Sequence, residues 1–79
     1  MNAQYNLGVL YYREKRKKEA ETWFLKAAEQ NDNLAQYNLG VLYYESKQIG
    51  EARQWYQKAA NQGHENAKEE LKKIERLGN

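Results

Sequence analysis

The chain has 79 residues, a formal net charge of +2, one histidine, and neither cysteine nor proline. A chain of this length hides only about 60% of the surface that its unfolded form exposes, which allows one domain with a small core. The lack of cysteine excludes a disulfide framework, a zinc-finger spacing and a thiol nucleophile, and the small net charge argues against a polyanion partner chosen by bulk charge.

From Ala3 to Tyr12 the chain reads AlaGlnTyrAsnLeuGlyValLeuTyrTyr, and the same run returns as Ala35–Tyr44, 32 positions later. At that offset Glu19-Ala20 falls on Glu51-Ala52, Trp23 on Trp55, LysAlaAla at 26–28 on LysAlaAla at 58–60, and Gln30 on Gln62. Self-similarity at a fixed period of about 20 to 50 residues marks stacked supersecondary units, because one unit cannot bury its apolar face alone. A supply of Ala, Leu, Glu, Lys, Gln and Arg, with no strand-like alternation, makes the unit helical. The expected fold class is therefore all-α: a helix-turn-helix repeat solenoid, or α-α superhelix. It has two repeats, about 1–32 and 33–64, followed by a capping helix at about 65–77. A repeat that begins this close to the first Met has no polar capping element before it, so the chain reads as a piece of a longer array.

The first helix is expected over about Ala3 to Arg13, with Asn2 as its N-cap. At about 100° per residue it carries two apolar stripes, Ala3, Leu7, Leu10 and Tyr11 on one side and Tyr5, Val9 and Tyr12 on the other. A doubly striped helix sits between neighbours or lines a groove. Gly8 and Gly40, costly inside helices, are expected to admit another backbone. Arg13 to Lys18 then holds five of the thirteen basic residues and is read as the turn; its second copy, Glu45 to Gly50, has lost most of that charge.

The second helix, about Glu19 to Gln30, places Ala20, Trp23, Phe24, Ala27 and Ala28 on one core-facing stripe. A third follows over about Asn33 to Glu45 and a fourth over about Glu51 to Gln62. Asn31 and Gly63 stand where a left-handed helix terminator is needed, and Asp32 and His64 become N-caps. In the last stretch Ala67, Leu71 and Ile74 form a narrow apolar stripe opposite Lys and Glu, as a terminal helix requires to meet water.

With helix pair, period and residue types in hand, the chain resembles the tetratricopeptide repeats and the Sel-1-like repeats. The first likeness lies in TyrAsnLeuGly followed by TyrTyr in both units, then Ala20 or Ala52, Phe24 or Tyr56, and Ala27 or Ala59. The second lies in Trp23 and Trp55, the two LysAlaAla runs, and Gln62-Gly63. The 32-residue unit is thus a hybrid of the two. The resemblance implies a protein–protein interaction scaffold that takes a peptide or partner protein on a concave face made by the first helix of each unit. Carried onto this chain, that face is Tyr5, Asn6, Val9, Tyr12, Arg13, Tyr37, Asn38, Val41, Tyr44 and Glu45, flanked by Asn2 and Leu34. Tyr12 and Tyr44 would form an aromatic ladder there, while Tyr11 and Tyr43 belong to the core. The Lys and Asn clamp with which one tetratricopeptide subset holds a C-terminal carboxylate is not matched: only Asn38 fits.

No enzyme is expected. One His, one Ser and one Thr offer no nucleophile–base pair, no second His stands at metal-ligand spacing, and no cofactor motif is present. RNA or phosphate binding through the basic turn 13–18 is the alternative; Glu45 in the place of Arg13 breaks the basic stripe that it needs. Self-assembly through the uncapped N-terminal face is a further possibility, giving a homo-oligomer. No apolar run nears the roughly 18 residues of a membrane span, and the start lacks the basic and apolar regions of a signal peptide, so the chain reads as soluble and cytoplasmic.

Overall fold

The computed structural model describes residues 3–77; Met1, Asn2, Gly78 and Asn79, and the side chain of Leu77, lie outside the described set. Five helices follow in order: α1 Ala3–Arg13, α2 Lys17–Glu29, α3 Asn33–Glu45, α4 Ile49–Asn61 and α5 Glu65–Leu77. Each packs on the next along the chain, so the molecule is an all-α helical repeat.

One turn geometry is used four times. After α1, Arg16 N donates to Tyr11 O at 2.9 Å and Lys15 N to Tyr12 O at 3.0 Å; Asp32 to Ala27, Gln48 to Tyr43 and His64 to Ala59 repeat the bond from Arg16 to Tyr11. This closure needs one left-handed residue just past the helix. Lys15 (φ 64°), Asn31 (72°), Lys47 (66°) and Gly63 (92°) supply it, so helices α2 to α5 start 16 residues apart. Asn31 and Gly63 behave as expected. Lys15 and Lys47 are residue types that enter this region only at a cost of about 1 kcal/mol, so residue type alone does not mark where these two turns close. Consequently α2 and α4 start at Lys17 and Ile49, two residues before the expected Glu19 and Glu51. The turn is Glu14–Arg16, and Lys17 and Lys18 belong to the first turn of α2.

The caps differ between alternate turns. Asp32 Oδ1 accepts from Leu34 N at 2.9 Å and Ala35 N at 3.3 Å, and His64 Nδ1 accepts from Ala67 N at 3.2 Å. Arg16 and Gln48, at the equivalent places before α2 and α4, make no side-chain cap bond. A His cap works only through an unprotonated ring nitrogen, and stacking of its ring on Tyr37, 4.6 Å between centroids, holds it in place.

Two apolar clusters fill the stack. The first joins Ala20, Phe24, Ala27 and Ala28 of α2 to Ala35, Leu39 and Leu42 of α3; the second joins Ala52, Tyr56, Ala59 and Ala60 of α4 to Ala67, Leu71 and Ile74 of α5. Gly8 and Gly40 serve a different approach from the one expected. A Cβ on Gly8 would lie 2.5 Å from Phe24 Cδ1, and one on Gly40 2.6 Å from Tyr56 Cδ1, so each glycine receives an aromatic ring and not a backbone.

Trp23, Tyr11 and Tyr43, expected in the core, are only partly buried. Trp23 is half-buried with Lys26 Nζ 4.5 Å from its ring centre, and Trp55 with Lys58 Nζ 4.6 Å away. Tyr11 and Tyr43 are half-buried as well; the Tyr43 hydroxyl stays near the surface because it donates to Glu21 Oε2 at 2.7 Å. Leu10 is 49% exposed although its copy Leu42 is 4% exposed, because α2 covers α3 on the side where nothing among the described residues covers α1.

Candidate functional site

The first helices of the two units, α1 and α3, which share the ten-residue run, lie side by side at one face, joined by polar bridges from the second stripe. Asn38 Nδ2 donates to Tyr5 Oη at 3.2 Å, and Tyr12 Oη reaches both oxygens of Glu45, at 3.0 and 3.2 Å. Both bridges run from α1 to α3 and use the register that the repeat sets. Between them lies a cleft of about 310 Å³ lined by Tyr5, Val9, Tyr12, Arg13, Phe24, Asn38 and Val41. Its walls are mostly apolar, and its polar groups, Asn38 and Arg13, are few, as in sites that fix one side chain of a ligand.

The structure brings together six of the ten residues named for this face: Tyr5, Val9, Tyr12, Arg13, Asn38 and Val41. Glu45 is tied to the cleft through Tyr12. Asn6 lines a separate, open depression with Leu34 and Asp32. Tyr37, Tyr44 and also Val41 pack against the second cluster, and Tyr37 sits 5.6 Å from Tyr56, ring centre to ring centre. In the first unit Tyr5 makes the matching contact with Phe24 at 5.8 Å. Ring pairs therefore run within each unit, and the first helices of the two units are linked by polar side chains, Asn38 to Tyr5 and Tyr12 to Glu45. Phe24 was missed as a cleft residue. The signal was the glycine that faces it, which lets the ring reach the back of the cleft.

Beside this cleft, and sharing Tyr12 and Arg13 with it, a second depression of about 480 Å³ is lined by Tyr12, Arg13, Lys15, Lys17 and Glu45. Lys17 Nζ lies 3.4 Å from Glu45 Oε1. Burial first, and then the bond to Glu45 and its charge, push the Tyr12 hydroxyl above its ordinary pKa, so Tyr12 stays a neutral donor. Tyr37 is likewise raised, by burial and by the charge of Glu70. Among the described residues no group of three or more His, Cys, Asp or Glu could hold a metal ion. No described helix is long and apolar enough to cross a membrane.

A stack of helix pairs with a cleft between the first helices defines a helical-repeat protein. The tetratricopeptide repeat model matches residues 1–34 and the Sel1 repeat model residues 33–64, so the chain belongs to the tetratricopeptide/Sel1-like repeat family. No curated protein matches it. Repeats of both kinds generally mediate protein–protein interaction, and they are typically scaffolds without enzyme activity.

Proposed function

We propose that this chain is a protein–protein interaction module that takes an apolar side chain of a peptide or partner protein into the α1–α3 cleft. The observation that carries this reading is the cleft itself: Val9, Val41 and the faces of Tyr5 and Tyr12 line it, while Asn38 and Arg13 supply polar groups. Tyrosine suits such a wall because it offers a large apolar body, little conformational entropy and a polar tip. An aromatic anchor in an interface is worth roughly 2 kcal/mol or more. Tyr12→Ala should therefore weaken capture of a cleft-binding peptide about 30-fold, while lowering stability by only about 1 kcal/mol, since Tyr12 is half-buried and its partner Glu45 is exposed. Peptides selected from a display library would supply the ligand. Equal binding to the wild-type chain and Tyr12→Ala would place the binding surface elsewhere.

A second reading, association of two copies, is favoured by the outer side of α1. The residues that α2 covers on α3, Ala35, Leu39 and Leu42, recur on α1 as Ala3, Leu7 and Leu10, and there Ala3 and Leu10 are exposed. Two such faces can cover each other across a twofold axis. Sedimentation should show a weak dimer that Leu10→Glu abolishes; a strict monomer at high concentration would exclude it.

A further inference from the structure

The cleft and the depression beside it share Tyr12 and Arg13 as walls, and their charges differ. Among the described residues the second depression carries three cations, Arg13, Lys15 and Lys17, against one carboxylate, Glu45. Glu45 is already engaged by Lys17 and by Tyr12. Arg13 and Lys15 are exposed, and among the described residues no carboxylate lies within ion-pair distance of either, whereas Lys17 pairs with Glu45 and, outside the depression, Arg16, Lys68 and Lys73 pair with Glu14, Glu65 and Glu70.

The second unit does not repeat this arrangement. Arg13, Lys15 and Lys17 are replaced at the 32-residue offset by Glu45, Lys47 and Ile49. The apolar stripe is thus duplicated while the basic rim belongs to the first unit alone. Lys15 also holds a left-handed backbone conformation that Asn31 and Gly63 fill elsewhere at less cost.

We propose that the cleft selects peptides in which the apolar anchor is flanked by an acidic residue, whose carboxylate docks between Arg13 and Lys15 beside the Lys17–Glu45 pair. This rests on the cleft reading above and adds the charge of the ligand to it. The carboxylate of Glu45 shows the chemistry that the depression accepts: an anion held by a tyrosine hydroxyl and a lysine. A ligand carboxylate adds a second anion to a rim that keeps two uncompensated cations. It does not require the Lys17–Glu45 pair to break.

The test uses three end-capped synthetic peptides, in which Phe is flanked by Asp on both sides, Phe is flanked by Asn, or Ala is flanked by Asp. Each is titrated into the chain and followed by NMR at the Val9 and Val41 amides. At low ionic strength the Asp-flanked Phe peptide should bind about five- to tenfold more tightly than the Asn-flanked one, and the gap should shrink at high salt. Arg13→Gln and Lys15→Gly should each narrow the gap, and Lys47→Gly should leave it intact. Lys15→Gly separates binding from folding, because glycine relieves the left-handed backbone and should raise the urea midpoint while selectivity falls. Equal affinity for the two Phe peptides, or a gap that survives in the Arg13→Gln/Lys15→Gly double variant, overturns the inference and leaves the cleft reading standing. If neither Phe peptide perturbs Val9 and Val41, both fall. If the Ala peptide or a single-stranded oligonucleotide binds as tightly as the Asp-flanked Phe peptide through the same basic residues, charge alone is being read and the anchored acidic ligand is wrong.

Discussion

Tyr56→Ala is expected to cost about 3 to 5 kcal/mol, a large share of the stability of a domain this small. Tyr56 is 2% exposed and lies in the second cluster between Gly40 and the ring of Tyr37. Truncation leaves a void that two rigid helices cannot fill, because each is held by its own closed turn. The reciprocal change is more telling. Gly40→Ala adds a methyl 2.6 Å from two ring carbons, where normal carbon contacts lie at about 3.5 to 4.0 Å. Such overpacking costs about 1 to 3 kcal/mol and outweighs the gain of about 1 kcal/mol in helix propensity. In a Tyr56→Leu background the ring is gone, and Gly40→Ala should turn stabilising. Urea melts of the four variants read the change of sign directly. A loss from Gly40→Ala that is the same in both backgrounds would mean that the glycine serves something other than the ring.

That pair shows where the sequence was legible. The 32-residue offset, the helix types and the stripe Ala20, Phe24, Ala27 and Ala28 follow from periodicity, which is a property of neighbours along the chain. The partner of Gly40 lies 16 residues away on another helix, so composition could say that something comes close and could not say what. The turns show the same limit. Asn31 and Gly63 announce a left-handed residue by their type, whereas Lys15 and Lys47 adopt it because the helices on both sides demand it. The candidate site divides in the same way: the shared face of α1 and α3 was readable, and six of the ten residues named for it meet in one cleft. Phe24 at its back and Lys17 at its rim come from α2, which a reading confined to first helices could not include.

Tyr43→Ala should cost about 3 kcal/mol, and its neighbour Tyr44→Ala markedly less. Both are half-buried, but Tyr43 packs against both clusters, whereas Tyr44 packs against the second alone. Tyr43 also donates to Glu21 of α2 and so holds the two repeats together. Burial, followed by that bond and the charges of Glu21 and Glu51, pushes its hydroxyl from 10.0 to about 12. The folded chain therefore holds this proton more tightly than the unfolded chain does. The resulting stability is complete below about pH 10 and is lost as the pH rises toward about 12. Tyr56, raised by its burial, adds to the same alkaline slope. Tyr43→Phe has no proton to lose and should flatten part of that slope, while the Tyr56 part remains. It should also cost about 1 kcal/mol at neutral pH for the missing bond to a carboxylate. Urea melts at neutral pH and across the alkaline window measure both effects. If Tyr44→Ala is as damaging as Tyr43→Ala, or if Tyr43→Phe keeps the full alkaline slope, the two repeats are coupled through the apolar contacts of α2 and α3 and not through the hydroxyl of Tyr43.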